Sequence, residues 1–198
     1  MQKIKTIDKF KPDELKIDIS EYPYQTDLTK KLDVIDSDFN QEIINEIVLW
    51  KVNRYALLDS DVLNLINQIK KTDRELNQDL KKITVKILEK LLDQNQKGVR
   101  LAMASTILRF KNPYIYQILD QRVYRIIYGK ELEEDYPKNK EEQIQFYLNY
   151  LEKLRDECLK TKVPFEHSDR IFYLIDKDKK IGNGNIALKE SRKPKDNT

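Results

Sequence analysis

Residues 97–130 read KGVRLAMASTILRFKNPYIYQILDQRVYRIIYGK, and the fold turns on them. The stretch holds seven Lys or Arg and a single acid, Asp120. Gly98 and Val99 stand where a turn opens a helix, and glycine reaches backbone angles that other residues resist. From Leu101 to Phe110 the chain is apolar nearly all round, which predicts a central, buried helix. Asn112-Pro113 interrupts it, because the residue before proline avoids helical angles while proline suits a first helical turn. Tyr114–Leu119 reads as helix or as extended chain. Asp120 then caps a further helix that ends near Gly129.

Upstream, Ile43, Ile44, Ile47, Val48 and Tyr55 recur at helical spacing and predict an amphipathic helix over 41–57. Asp59 or Ser60 caps the next, with Val62, Leu65, Ile66 and Ile69 as its apolar positions. A third helix is expected over 74–93, with Leu80, Ile83, Ile87, Leu88 and Leu91 on one stripe. Downstream, 131–142 reads as an acidic loop and 139–161 as a long amphipathic helix ended by Pro164. Ser168 is expected to cap a last helix, Asp169–Asp178. No internal repeat and no strand-pairing pattern is visible. The expected class is all-α: a helical bundle-like domain over 41–178, a polar, loosely packed arm at 1–40 and a flexible basic tail at 179–198.

Composition narrows the function classes. A chain of 198 residues with 39% hydrophobic residues can fill one core, and four glycines and six prolines favour helices over tight turns. The net charge of +3 is too mild to name a nucleic-acid partner, so the distribution of charge decides. One cysteine, Cys158, and one histidine, His167, exclude an internal disulfide and a zinc site built from Cys and His alone. The lone thiol fits a cytoplasmic location, and no cofactor is expected. No apolar run reaches the roughly 18–20 residues of a membrane span, so no membrane partner is expected. MQKIKTIDKFKPDELK carries acids and no apolar stretch, so no secretory leader is expected there. Around His167, the run Glu166-His167-Ser168-Asp169 has catalytic residue types, but neighbours in sequence do not face one another on a helix.

The chemistry-bearing signal lies in the opening stretch. A hairpin between helices presents backbone N–H groups to a phosphate, and the following helix N-terminus favours the anion. Lys97 and Arg100 flank Gly98-Val99 and would add charge-assisted contacts, with Arg122 and Arg125 on the helix after Asp120. Lys51 and Arg54 share a helix face and form a second candidate for phosphate. Each signal also has a plain structural reading. Gly98 can simply end the preceding helix, Asp120 can serve only as a cap, and Trp50 beside Lys51 suits a core position better than a base-stacking one.

The order of Gly98-Val99, an apolar helix rich in small residues, a proline-containing loop, and Asp120 opening a basic helix resembles the core of the helix-hairpin-helix DNA glycosylase superfamily. Gly98 and Val99 match the hairpin turn, Ala102–Leu108 its second helix, and Asp120 in ILDQRVYRI the aspartate that serves excision of a flipped base. The resemblance implies a DNA-binding protein gripping duplex backbone through Lys97, Gly98, Val99 and Arg100. Where the family has a second hairpin glycine, this chain has Arg100. Where bifunctional members place a lysine nucleophile, it has Leu101 and Ala102. The implied activity is therefore monofunctional hydrolysis of an N-glycosidic bond. The alternative is a non-enzymatic helical module that binds DNA or a protein.

Overall fold

The computed structural model describes residues 4–22, 26–52, 58–93 and 99–184. These form helices without strands: α1 (Thr26–Asp33), α2 (Gln41–Val52), α3 (Ser60–Asn67), α4 (Gln78–Leu91), α5 (Leu101–Lys111), α6 (Gln121–Tyr128), α7 (Leu132–Asp135), α8 (Lys140–Thr161) and α9 (Ser168–Lys177). As its sequence predicts, α5 is the central element. Its residues from Met103 to Lys111 are all buried, and it packs against α2, α4 and α8. The α6 helix lies against α8 and α9, and α3 against α4.

Local signals set most of the helix starts. Asp59 accepts a hydrogen bond from Val62 N at 2.8 Å and starts α3. Asn77 does the same for Leu80 N at 2.9 Å, so α4 begins there rather than at 74. Asn139 caps α8 through Glu142 N at 2.8 Å. Each such cap satisfies a donor that the helix itself leaves open.

Several expectations need correction. The first forty residues are not a loose arm: Ile7, Phe10, Leu15, Leu32 and Phe39 are buried in the common core. The acidic stretch contains a helical turn, α7, held by reciprocal contacts of Glu131 and Glu134. Lys162, in the left-handed region at φ 59°, ends α8 before Pro164 is reached. Ser168 is the first residue of α9 rather than its cap, and its hydroxyl donates to Phe165 O at 2.8 Å. The tail does not begin at 179. Asn183 N and Gly184 N donate to Asp176 O at 3.0 and 2.9 Å, folding the chain back on α9.

Gly129 closes α6 at φ +75°. A Cβ there would stand 2.8 Å from Thr6 Cγ2, on the N-terminal segment. Gly129→Ala therefore meets both backbone strain and a packing clash, and should cost about 1–2 kcal/mol from the left-handed backbone alone. Urea denaturation at neutral pH measures it, and an unchanged midpoint would contradict the assignment.

Candidate functional site

The segment 112–120 carries Asp120 and has no helix of its own, yet Asn112 and the run from Ile115 to Leu119 are buried. Its backbone groups must find partners elsewhere. Tyr147 and Tyr150 of α8 donate to the Gln117 and Ile118 carbonyls at 2.9 and 2.8 Å. Leu119 N donates to Ser105 Oγ of α5 at 3.0 Å. Asn112 folds inward, giving Nδ2 to Lys70 O at 2.7 Å and accepting from Tyr114 N at 2.9 Å. A connector tied on both sides by buried side chains delivers Asp120 to one place.

There Asp120 caps α6, as expected. Its Oδ1 accepts from Arg122 N at 2.8 Å and from Val123 N at 3.4 Å. Its Oδ2 lies 4.0 Å from Lys51 Nζ, and the side chain keeps 27% of its exposure. The carboxylate borders an open cleft of about 340 Å³, lined also by Tyr22, Trp50, Lys51, Gln121, Arg122 and Tyr173. Tyr22 and Tyr173 meet edge to face, with ring centres 5.6 Å apart. Trp50 forms the wall from the core side. It is buried, donates Nε1 to Thr29 Oγ1 at 2.6 Å and stands edge-on to Phe110. Burial, then the neighbouring Asp169 and Asp120 carboxylates, push the Tyr22 phenol well above its ordinary pKa, so it stays a protonated donor.

Of the residues singled out from sequence, Lys51, Asp120 and Arg122 meet in this cleft. Arg122 is not free to serve a phosphate alone, since its Nη1 is 3.0 Å from Asp176 Oδ2. Arg125 must be removed from the phosphate-binding set. It is fully buried, its Nε and Nη2 donate to the Asp176 carboxylate at 2.7 and 2.6 Å, and it exposes no surface to a ligand. Val99 is buried, whereas Arg100 is exposed at the α5 N-terminus, where it supplies no capping acceptor. Lys97, Gly98 and Arg54 lie outside the described residues.

Sequence reasoning missed Tyr22, Gln121 and Tyr173. Tyr22 sat in the supposed loose arm, and the apolar residues around it were the only hint that the arm is packed. Tyr173 follows Ile171 and Phe172 in an apolar run that does not show which ring faces outward.

Behind the cleft lies a buried ionic group joining three elements. Arg109 of α5 donates to Asp33 at 2.6 Å and lies 3.1 Å from Asp169, while Arg170 also pairs with Asp33. Burial raises the Asp33 pKa, but Arg109 and Arg170 outweigh that and hold it below the ordinary carboxylate value. A lowered folded-state pKa gives stability that is present above the unfolded value, near 4, and lost as pH falls through the folded one. Asp33→Asn should therefore unfold more readily at pH 7 and show a smaller further loss on acidification below about pH 4. Urea midpoints at two pH values test this; parallel loss in both proteins would refute it.

Among the described residues no helix is long and apolar enough to cross a membrane, and no group of three or more His, Cys, Asp or Glu is placed to hold a metal ion. Comparison with protein-family models, curated proteins and solved structures gave no match.

Proposed function

We propose that this chain binds duplex DNA and hydrolyses the N-glycosidic bond of an extruded base, with Asp120 as the catalytic carboxylate. The observation that carries the reading is the half-buried Asp120 carboxylate bordering an open cleft with aromatic walls, with Lys51 and Arg122 beside it. Such a cleft can receive a planar base that has left the stack, at a cost of a few kcal/mol to the duplex. Positive charge then develops on the sugar, and a carboxylate fixed by its own helix stabilises it without reorganising. Lys51 Nζ, 4.0 Å from Asp120 Oδ2, places a cation at the mouth of the same cleft, where it can meet a DNA phosphate. Leu101 and Ala102 at the start of α5 carry no amine, which supports attack by water rather than a covalent amine route.

The DNA backbone would be gripped where α4 and α5 adjoin, in the helix-hairpin-helix manner, with exposed Arg100 at the uncapped α5 N-terminus. Arg100→Ala should lower the slope of log affinity against log salt by about one, and weaken binding evenly across sequences. Fluorescence anisotropy with a labelled duplex over a salt series reads this. Binding that does not depend on salt would remove DNA from the proposal altogether. Excision itself is read by incubating the protein with duplexes carrying different lesions and cleaving abasic sites with alkali.

One observation favours a second reading, binding without excision. Asp120 Oδ1 is fully used as a helix cap, so the residue has a structural purpose even without chemistry. A duplex bound with ordinary salt dependence but never cleaved at any lesion would select this reading.

A further inference from the structure

A second cleft, of about 460 Å³, opens between the turn before α4 and the middle of α8. It shares no lining residue with the Asp120 cleft. Leu76, Ile115 and Leu151 give it an apolar lining, and Arg74, Lys81 and Arg155 supply charge.

The two arginines are arranged around one tyrosine. The Arg74 guanidinium lies 4.0 Å from the Tyr114 ring centre. Arg155 donates Nη2 to the Tyr114 carbonyl at 3.0 Å and lies 3.9 Å over the Phe165 ring. Both forks are thus held in place, Arg74 also by donating Nη1 to Lys71 O at 2.7 Å.

What they lack is an acid. Arg109, Arg122, Arg125 and Arg170, which with Arg155 are the arginines with buried or half-buried side chains among the described residues, each lie within ion-pair distance of a carboxylate. Among those residues neither Arg74 nor Arg155 forms such a pair. Glu75 and Glu152 at the same cleft are exposed, and Glu152 is engaged at 3.8 Å by Lys81. Burial pulls the Arg155 pKa below its ordinary value, with Cys158 and Glu75 offsetting only part of the effect. A half-buried guanidinium without a counter-ion is costly, and an incoming anion would relieve that cost.

We propose that this cleft binds a phosphomonoester carried on an apolar or aromatic body, a mononucleotide being the simplest example. Two fixed guanidinium forks match the oxygens of a phosphate dianion. The apolar lining takes the body of the ligand, and the volume falls within the usual range of small-molecule sites.

Titration calorimetry with adenosine monophosphate, inorganic phosphate and uncharged adenosine tests the assignment. The monophosphate should bind saturably, phosphate more weakly and adenosine not measurably. Arg155→Gln and Arg74→Gln should each weaken the monophosphate by about tenfold or more. Arg74 is exposed, so its variant reports on the ligand even if Arg155→Gln does not fold. No saturable binding of the monophosphate, or binding unchanged in Arg74→Gln, overturns the proposal. So does a result in which Arg74→Gln weakens duplex DNA and not the monophosphate, for the cleft would then be a backbone contact. Base excision should be unaffected by Arg74→Gln, so failure here leaves the role of Asp120 standing, and the converse holds.

Discussion

Under the proposed activity, Asp120→Asn is expected to lower base excision by about 10²- to 10³-fold while leaving the melting temperature almost unchanged. The two halves of this expectation rest on the two oxygens of one side chain. Asparagine keeps an oxygen in the Oδ1 position, and Asn and Asp are about equally good helix caps, so the bonds to Arg122 N and Val123 N survive. The group replacing Oδ2 is a neutral amide, which cannot stabilise positive charge on the sugar. Single-turnover excision assays beside thermal melts separate the two effects. Activity preserved in the variant removes Asp120 from the chemistry. Loss of activity with loss of fold would instead mark a structural role. Asp120→Ala makes a useful partner, since it should lose activity and also about 1 kcal/mol of stability with the cap.

The largest effect on stability is expected at Asp176. This fully buried carboxylate accepts from Arg125 Nε and Nη2, from Asn183 Nδ2 at 2.8 Å and from Arg122 Nη1. Asp176→Leu leaves Arg125 charged and enclosed, with the partly exposed Glu131 3.5 Å away. The loss should be about 3–5 kcal/mol, as for buried pairs broken from one side. The double variant Arg125→Met with Asp176→Leu should recover much of it, because removing both charges also removes the desolvation cost. Urea denaturation of the wild type, both single variants and the double variant completes the cycle. A single-variant loss below about 1 kcal/mol would mean that the pair is far better hydrated than its burial implies.

The sequence was most informative where the physics is local. The caps at Asp59 and Asp120, the glycine after α6 and the all-round apolar character of α5 each depend on a few neighbouring residues. Failures arose where distant parts meet. Arg125 looked like a DNA contact because its own stretch has almost no acids, yet its partner Asp176 comes from α9, 51 residues later. The polar composition of residues 1–40 concealed Ile7, Phe10 and Leu15, which have no helical period of their own because they enter the core from 3-10 turns. For the same reason the cleft was only half legible. Lys51, Asp120 and Arg122 carry charge and could be picked out, whereas Tyr22 and Tyr173 acquire meaning only when the N-terminal segment crosses α9.

The junction of residue 5 with residue 183 has a consequence for the newborn chain. Asn183 Nδ2 donates to Lys5 O at 3.0 Å, a contact spanning 178 positions. Synthesis runs at about 5–20 residues per second, so the first segment emerges many seconds before its partner exists. During that interval the turn carrying Ile7 lacks the α6 and α8 surfaces on which it finally rests, and the turn carrying Leu15 lacks α9. The apolar residues of the N-terminal segment therefore stay uncovered until α9 and the turn after it have been made.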